Sequence, residues 1–212
     1  PQQMWEFVEA VRGVADACHA ITLKDNPDCA TPIIAGNVSF YNESKNGSIP
    51  PSPIVSCLGR LKDTNKAVPM HFQKTESAIL MVGERKDELG GSIYYNLHGK
   101  LGANIPKPNL EEVKNQIFAL TDCIDGGLVL SCHDIADGGV ATALAEMTFS
   151  NKIGCDINIS FCLSNDKILF SETGGFIMEV SKKNLHIIEE IFSERSISFY
   201  EIGSTTPQQF LN

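Results

Sequence analysis

Leu128-Val129-Leu130-Ser131-Cys132-His133-Asp134-Ile135-Ala136-Asp137-Gly138-Gly139-Val140 opens on three apolar residues and closes on a glycine pair that leads into Ala143-Leu144-Ala145-Glu146-Met147. The apolar triplet reads as a buried strand, and Val140, Leu144 and Met147 fall on one face of a helix expected over Gly139 to Phe149. A strand that passes through a polar turn into a helix is the repeating unit of an α/β layered domain. The turn places carboxylates and flexible backbone where helix N–H groups point outward. Bare carboxylates repel a phosphate, so Asp134 and Asp137 read either as helix caps or as Mg2+ ligands bridging to phosphates, since the dication reverses the local sign. Capping is favoured for Asp137, two residues before the helix, while both readings stay open for Asp134. An imidazole titrates near neutral pH, which suits His133 to general-base work, but beside a strand end and an acid an orienting, hydrogen-bonded role is favoured. Nothing marks Cys132 as a nucleophile.

The alternation continues outward. Ala78-Ile79-Leu80-Met81-Val82-Gly83 is a short strand of the fully buried type, and Leu110, Val113, Ile117 and Leu120 stripe a helix. Further strands are expected near Cys155 to Ile159, Phe176 to Val180 and Ile197 to Ile202, with a helix from Asn184 to Glu194 striped by Leu185, Ile188 and Phe192. Glu172, ahead of Gly174-Gly175, reads as a surface or binding carboxylate or, more simply, as part of a hairpin turn. Gly90-Gly91-Ser92 is too short to be a phosphate loop by itself, and no stretch matches Gly-x-x-x-x-Gly-Lys-Ser/Thr.

Toward the start of the chain, Met4 to Ile21 carries Trp5, Val8, Val11, Ala15 and Cys18 at helical spacing, and Leu23 to Ala30 is a polar turn. Thr31-Pro32-Ile33-Ile34-Ala35-Gly36-Asn37-Val38-Ser39-Phe40-Tyr41-Asn42-Glu43 rises from a proline, breaks at a glycine and empties into polar residues. A buried strand there would deliver oxygen and amide groups to a sheet rim. Gly36 lets backbone approach a bulky anion, Asn37 offers a neutral oxygen suited to Mg2+, and the Ser39 hydroxyl donates to a phosphate oxygen. The plain alternative is a strand running into a polar turn. Ser44 to Pro53 is a proline-rich loop, Ile54 to Leu61 reads as a strand, and Lys62 to Lys66 is the expected domain boundary.

With 212 residues, 42% of them hydrophobic, the chain has material for a real core. It contains no apolar run of the roughly 18 residues a membrane span needs, and no basic stretch followed by an apolar one at its start, so neither a span nor a signal peptide is expected. A net charge of -9 disfavours nucleic acid as a partner, because phosphate backbones demand clustered Lys and Arg. Lys66, Lys74, Arg85 and Lys86 are scattered among acids and read as solvated surface. Seven cysteines without Cys-x-x-Cys spacing argue against a zinc site or disulfide framework and for a reducing cytoplasm, with Cys57, Cys123, Cys155 and Cys162 read as small buried hydrophobes. The sequons at Asn37, Asn42, Asn46 and Asn158 matter only in a secreted protein.

Two long motifs in this order, Gly36-Asn37-Val38-Ser39 with Tyr41-Asn42-Glu43 and Ile49-Pro50-Pro51-Ser52-Pro53-Ile54, then Ser131 to Val140, resemble the second half of phosphoribosylformylglycinamidine synthase, the synthetase of purine biosynthesis. Leu89-Gly90-Gly91-Ser92, Leu169-Phe170-Ser171-Glu172 and Phe176-Ile177-Met178-Glu179-Val180 fall in the same family's order. The resemblance implies an α/β fold: a mixed sheet with helices packed on it, like the C-terminal domain of aminoimidazole ribonucleotide synthetase, over residues 65–212. Residues 1–64 would be the tail of a second, dimerising α/β domain. A chain that starts at Pro1, almost directly on a helix, then reads as a piece of a longer enzyme.

That enzyme uses ATP to phosphorylate the amide oxygen of formylglycinamide ribonucleotide, and ammonia from a glutaminase partner displaces the phosphate. Carried over by the resemblance, Gly36 contacts ATP, Asn37 binds Mg2+ and Ser39 contacts the substrate, while Asp134 matches an Mg2+ ligand of an auxiliary nucleotide site in large members. Ala136 stands where those members carry Ser, which puts occupancy of that site in question. The family's catalytic residues lie in parts preceding this stretch, so no catalytic residue is expected here, and the fragment alone should turn over nothing. A homodimer through unpaired sheet edges is a further expectation, as is a cytoplasmic location. Aminoimidazole ribonucleotide synthetase, selenophosphate synthetase and a non-catalytic assembly module are the competing readings.

Overall fold

Residues 2–37, 39 and 43–212 are described by a computed structural model of the chain. Val38, Phe40, Tyr41 and Asn42 of the Gly36-to-Glu43 motif, and with Asn42 one sequon, lie outside the described residues. The chain divides into two units, Pro1–Arg60 and Leu61–Asn212.

In the first unit, helix α1 (Gln2–Ala20) leads into a small hairpin of β1 (Thr22–Leu23) and β2 (Asn26–Ala30), where a polar turn was expected. Thr31 ties the hairpin back to the helix, its N–H donating to Cys18 O at 2.9 Å and its hydroxyl to Ile21 O at 2.5 Å. A second hairpin, β3 (Glu43–Ser44) and β4 (Gly47–Ser48), lies within the proline-rich stretch. The strands expected at Ile33-Ile34 and Ile54 to Leu61 do not form: these segments are irregular, and Ile34 is 75% and Ile54 95% exposed. The reason is a missing neighbour. Among the described residues of this unit the only ladders are the two hairpins, so neither apolar run finds an edge to bond or a layer to pack on. Met4, Trp5, Val8 and Val11 of α1 are likewise exposed, and the helix buries no residue.

The second unit is built on a five-stranded sheet. Its elements are β5 (Ala78–Val82), α2 (Ile93–Leu97), α3 (Leu110–Asp125), β6 (Val129–Asp134), α4 (Gly139–Met147), β7 (Gly154–Ile157), α5 (Asn165–Phe170), β8 (Phe176–Val180), α6 (Leu185–Glu194) and β9 (Phe199–Thr206). The strands run in the order β6-β8-β5-β9-β7, with every ladder antiparallel and one parallel bridge between Cys155 and Leu211. The last residues cover the β7 edge: Cys155 N–H donates to Phe210 O and Ile157 N–H to Asn212 O, each at 2.8 Å, which blunts an edge otherwise open to pairing.

Period-two alternation along β5 sends side chains into both layers. Ile79 and Met81 join Val140, Leu144 and Met147 of α4, while Ala78, Leu80 and Val82 join Ala119 and Cys123 of α3 and Ile188 and Phe192 of α6. That two-sided burial explains why β5 has no polar alternation. On α3 the buried residues are Gln116, Ala119, Leu120 and Cys123, so that of the expected Leu110-Val113-Ile117-Leu120 stripe only Leu120 is buried, and α6 packs against the helix there. Strand β6 reaches Asp134, so His133 and Asp134 belong to the strand and do not follow it.

Three further expectations fail on burial or connectivity. Cys123 and Cys155 are buried, but Cys57 and Cys162 are exposed. Arg85 is only 5% exposed and is no surface residue. Glu172 is not in a hairpin, because α5 precedes it and β8 pairs with β5 and β6. Among the described residues no helix is long and apolar enough to cross a membrane.

Candidate functional site

The Gly36 segment is open. A Cβ built on Gly36 would meet nothing within 4 Å, and Asn37 and Ser39 are exposed, with Asn37 Nδ2 donating to Ser39 Oγ at 3.5 Å. The two polar groups, expected to serve Mg2+ and the substrate respectively, are therefore in contact. The sheet rim expected to carry them is absent among the described residues, and their backbone is irregular. Asn37 presents one neutral oxygen, which fits a hard cation as one ligand among several and cannot hold it alone.

The corner between β6 and α4 is built tightly. Ile135, buried, donates its N–H to Gly175 O at 2.8 Å and pins the turn to the segment before β8. Gly138 (φ 78°) and Gly139 (φ 69°) both adopt the left-handed conformation. A Cβ on Gly139 would lie 2.7 Å from Leu169 O and 2.8 Å from Ser171 O, so the second glycine of the pair is needed for α5 to end against the start of α4. Asp137 is exposed and α4 has no side-chain bond from its N-cap residue, which overturns the expected cap. The carboxylate comes from far along the chain instead: Glu172 Oε1 accepts from Gly138 N–H at 2.9 Å. The same oxygen accepts from Ile93 N–H at 2.8 Å, where Ser92 caps α2.

His133 has oxygen partners at both ring nitrogens, Asp134 O at 2.7 Å from Nδ1 and Glu146 Oε2 at 3.0 Å from Nε2. This is the orienting arrangement favoured from its sequence position. The Asp134 carboxylate lies 3.4 Å from His133 Nδ1 and is 68% exposed. Among the described residues no group of three or more His, Cys, Asp or Glu side chains is placed to hold a metal ion. Cys132, beside this pair, is mostly buried; desolvation, helped by Asp134, pushes its thiol up to about 12, which leaves it unreactive.

Sequence reasoning missed the polar cluster beneath Glu172. Arg85 Nη1 donates to Thr173 O at 2.5 Å and Nη2 to Gly174 O at 2.7 Å, while its buried Nε has no partner. Burial lowers the guanidinium to about 10 against the opposing pull of Glu88. Glu88 accepts from the Thr173 hydroxyl at 2.8 Å, and that hydroxyl pairs with Ser171 Oγ at 2.7 Å. The contacts of Arg85 and Glu88 with Thr173 and Gly174 span more than eighty residues, and no spacing rule connects them. The one local hint is position, since Arg85 follows a fully apolar strand by three residues. Two surface cavities of about 370 and 380 Å³ lie elsewhere: Lys66, Asp125 and Leu130 help line one, Glu84, Asn109 and Arg195 the other. Neither is lined by Gly36, Asn37, Ser39 or Asp134.

Comparison with known proteins adds a second line. Residues 74–211 match the family described as AIR synthase related protein, C-terminal domain. The chain is 41% identical over 184 residues to the phosphoribosylformylglycinamidine synthase subunit PurL of Methanothrix thermoacetophila, covering 85% of this chain and 24% of that one. It is 34% identical over 214 residues to the subunit of the same name from Lactobacillus acidophilus, covering 100% and 27%. The chain thus spans about a quarter of the length of these curated relatives. Among solved structures, T. maritima PurL complexed with FGAR superposes with a TM-score of 0.60 at 17% identity, covering 68% of this chain and 26% of that one. The same protein complexed with ATP gives 0.54 at 19%, covering 68% and 24%. A thiamine-monophosphate kinase from Stenotrophomonas maltophilia gives 0.51 at 12%, covering 69% and 52%. At these identities the structures speak for the fold.

Proposed function

The chain belongs to the AIR synthase related family, whose C-terminal domain it carries over residues 74–211, and from that premise we propose that it is the C-terminal part of a phosphoribosylformylglycinamidine synthase of purine biosynthesis. The proposed reaction is ATP-dependent ligation. Formylglycinamide ribonucleotide is phosphorylated on its amide oxygen, and glutamine-derived ammonia adds at that carbon and expels phosphate, giving formylglycinamidine ribonucleotide, ADP and phosphate. Amide oxygen is a poor leaving group and phosphate a good one, and bound Mg2+ would offset the charge on the transferring phosphoryl group.

The observation that carries the site assignment is the open Gly36 beside the paired Asn37 amide and Ser39 hydroxyl. In the proposed roles Gly36 leaves room for ATP, Asn37 supplies an oxygen to Mg2+ and Ser39 orients the substrate. The remaining ligands and the catalytic groups would come from the rest of the synthase, with a glutaminase supplying ammonia in the cytoplasm. On this reading the 212 residues turn over nothing alone. Formation of formylglycinamidine ribonucleotide by this chain with ATP and ammonia would contradict it.

A second reading concerns residues 61–212, for which one observation favours a non-catalytic assembly role. Glu172 already fills the N-terminus of α4, and the exposed Asp134 carboxylate faces only the His133 ring among the ion pairs described. An ATP titration of the full-length enzyme separates the two sites. Loss of ligase activity in Asn37→Ala with retention in Asp134→Ala assigns the working site to Asn37 and a structural role to the α4 corner. The reverse pattern overturns both assignments.

A further inference from the structure

Residues 90–104 form a strap closed on itself. Gly90 N–H donates to Asn104 O at 2.9 Å and Gly91 N–H to Leu101 O at 2.7 Å, so α2 is carried inside a loop whose two ends meet. The interior is filled: a Cβ on Gly90 would sit 2.8 Å from the Asn104 backbone, and one on Gly102 2.8 Å from the Tyr95 ring. Within it, Ser92 Oγ accepts from Tyr95 N–H, and His98 and Lys100 donate their N–H groups to Tyr95 O. Outward it presents Leu97 and Leu101, both strongly exposed.

At its root the strap is tied to the preceding residues, Ser92 N–H and Oγ donating to Leu89 O and Asn104 Nδ2 to Asp87 O. Its other attachments converge on one short stretch, 167–173. Tyr94 stacks on Phe170 with ring centroids 4.6 Å apart and planes 4° from parallel. Lys167 Nζ lies 2.6 Å from Asp87, just before the strap. The only polar tie that enters α2 itself among the hydrogen bonds described is Ile93 N–H to Glu172 Oε1. That oxygen also holds Gly138 N–H at the start of α4.

We infer that Glu172 is a latch: one carboxylate oxygen joins the first amide of α2 to the amide of Gly138, the residue that caps α4, and without it the strap swings from the unit as a closed body. Two helix starts would otherwise each face a ligand or solvent with unsatisfied donors, and a negative charge shared between them satisfies both. Because the strap's remaining bonds close it on itself or tie it to its root at Asp87 and Leu89, loss of the latch frees its position about that root without opening it. Arg85 keeps the latch residue in place by holding the carbonyls of Thr173 and Gly174 immediately after it. The inference is independent of the proposed enzymatic role, since it involves none of Gly36, Asn37 or Ser39.

Amide hydrogen exchange on the whole chain tests it, comparing the wild type with Glu172→Ala and Glu172→Gln. In Glu172→Ala the amides of Ile93 and Gly138 should exchange about tenfold faster, while Gly90 and Gly91 and the amides of β5 and β8 keep their wild-type rates. Glu172→Gln retains an acceptor oxygen without the charge and should give a smaller acceleration at the same two positions. Unchanged exchange at Ile93 and Gly138 in both variants overturns the latch. Equal acceleration at Gly90 and Gly91 also overturns it, because the strap would then be unfolding in place. If Glu172→Ala perturbs β5 and β8, Glu172→Gln alone decides between these outcomes.

Discussion

Two apolar runs of similar character meet opposite fates in this chain. Ala78–Val82 lies completely buried as the middle strand of a sheet, paired on one side with β8 and on the other with β9. Ile33-Ile34, framed by a proline and a glycine much as a buried strand would be, stays exposed and irregular. Intrinsic preference does not separate them, since both are rich in the residues strands favour. What separates them is company within their own unit: β5 has a bonding partner along each edge and an apolar layer over each face, and the Ile33 segment has neither. A strand is a property of a set of segments, and one run contributes only its willingness to join.

The largest effect should come where that company includes a buried carboxyl group. Glu179 on β8 is 0% exposed, accepts from the N–H groups of Gln73 and Lys74 at 2.7 and 2.9 Å, and from Ser131 Oγ at 2.9 Å. Those bonds fasten the segment before β5 to the sheet. Glu179→Ala strips two part-buried amides and the buried Ser131 hydroxyl of their acceptor and should cost about 3–5 kcal/mol in urea unfolding. A loss below about 1 kcal/mol would mean that water replaces the carboxylate, and the two units would differ less in rigidity than their packing indicates.

The glycines sharpen the contrast at the next level. Gly139→Ala forces an L side chain into the left-handed conformation and against the backbone of Leu169 and Ser171, for about 2–4 kcal/mol. Gly36→Ala meets open space and should leave unfolding within about 0.5 kcal/mol of wild type. In the full-length enzyme the proposed role reverses the ranking for function, so ATP affinity should fall with Gly36→Ala. Equal stability losses at the two glycines in this chain would erase the distinction between a packing glycine and an approach glycine.

Much of the second unit was legible because its local signals agree with one another. The uninterrupted apolar run of β5, the Val140-Leu144-Met147 face of α4 and the Ile188-Phe192 face of α6 each bury as their periodicity implies. In the first unit the same rules located α1 and misassigned Ile33-Ile34 and Ile54 to Leu61, since period and composition carry no information on whether a partner is at hand. At the candidate sites the residues were legible and their roles less so. Asp137 has the right chemistry for a cap at the right distance, but Glu172 reaches Gly138 from 34 positions away and takes the task. Arg85 was hidden by the averaged view of charge as surface, and only the carbonyls of Thr173 and Gly174, brought over by the β5–β8 pairing, explain its burial.

A pH titration probes the packed unit through its thiols. Burial, helped by Asp156, pushes Cys155 up to about 12, and Cys132 is pushed up to a similar value. For groups raised in the folded state, the contribution to stability is intact below the ordinary thiol value of 9.0 and is lost as pH climbs toward about 12, because only the unfolded chain ionises in that window. Arg85 acts with the opposite sign, but only above about 10. Unfolding free energy should therefore decline between pH 9 and 10, and Cys155→Ala should flatten the decline relative to its own value at pH 7. An unchanged slope in that variant would show that Cys155 ionises in the folded chain as readily as in the unfolded one.

The smallest effect tests the comparison from the exposed side. Ile34→Ala and Ile54→Ala remove side chains that pack on nothing in their unit, and each should shift unfolding of this chain by no more than about 0.5 kcal/mol. If the proposed membership in a longer synthase is right, the same substitutions in the full-length protein remove buried groups, and the cost should rise to about 2–4 kcal/mol. The difference between the two measurements isolates what the missing company contributes, with residue type and backbone held constant. A null effect in both contexts would leave Ile33-Ile34 an irregular surface segment wherever it occurs, and would remove the physical reason for placing Asn37 and Ser39 at the rim of a sheet.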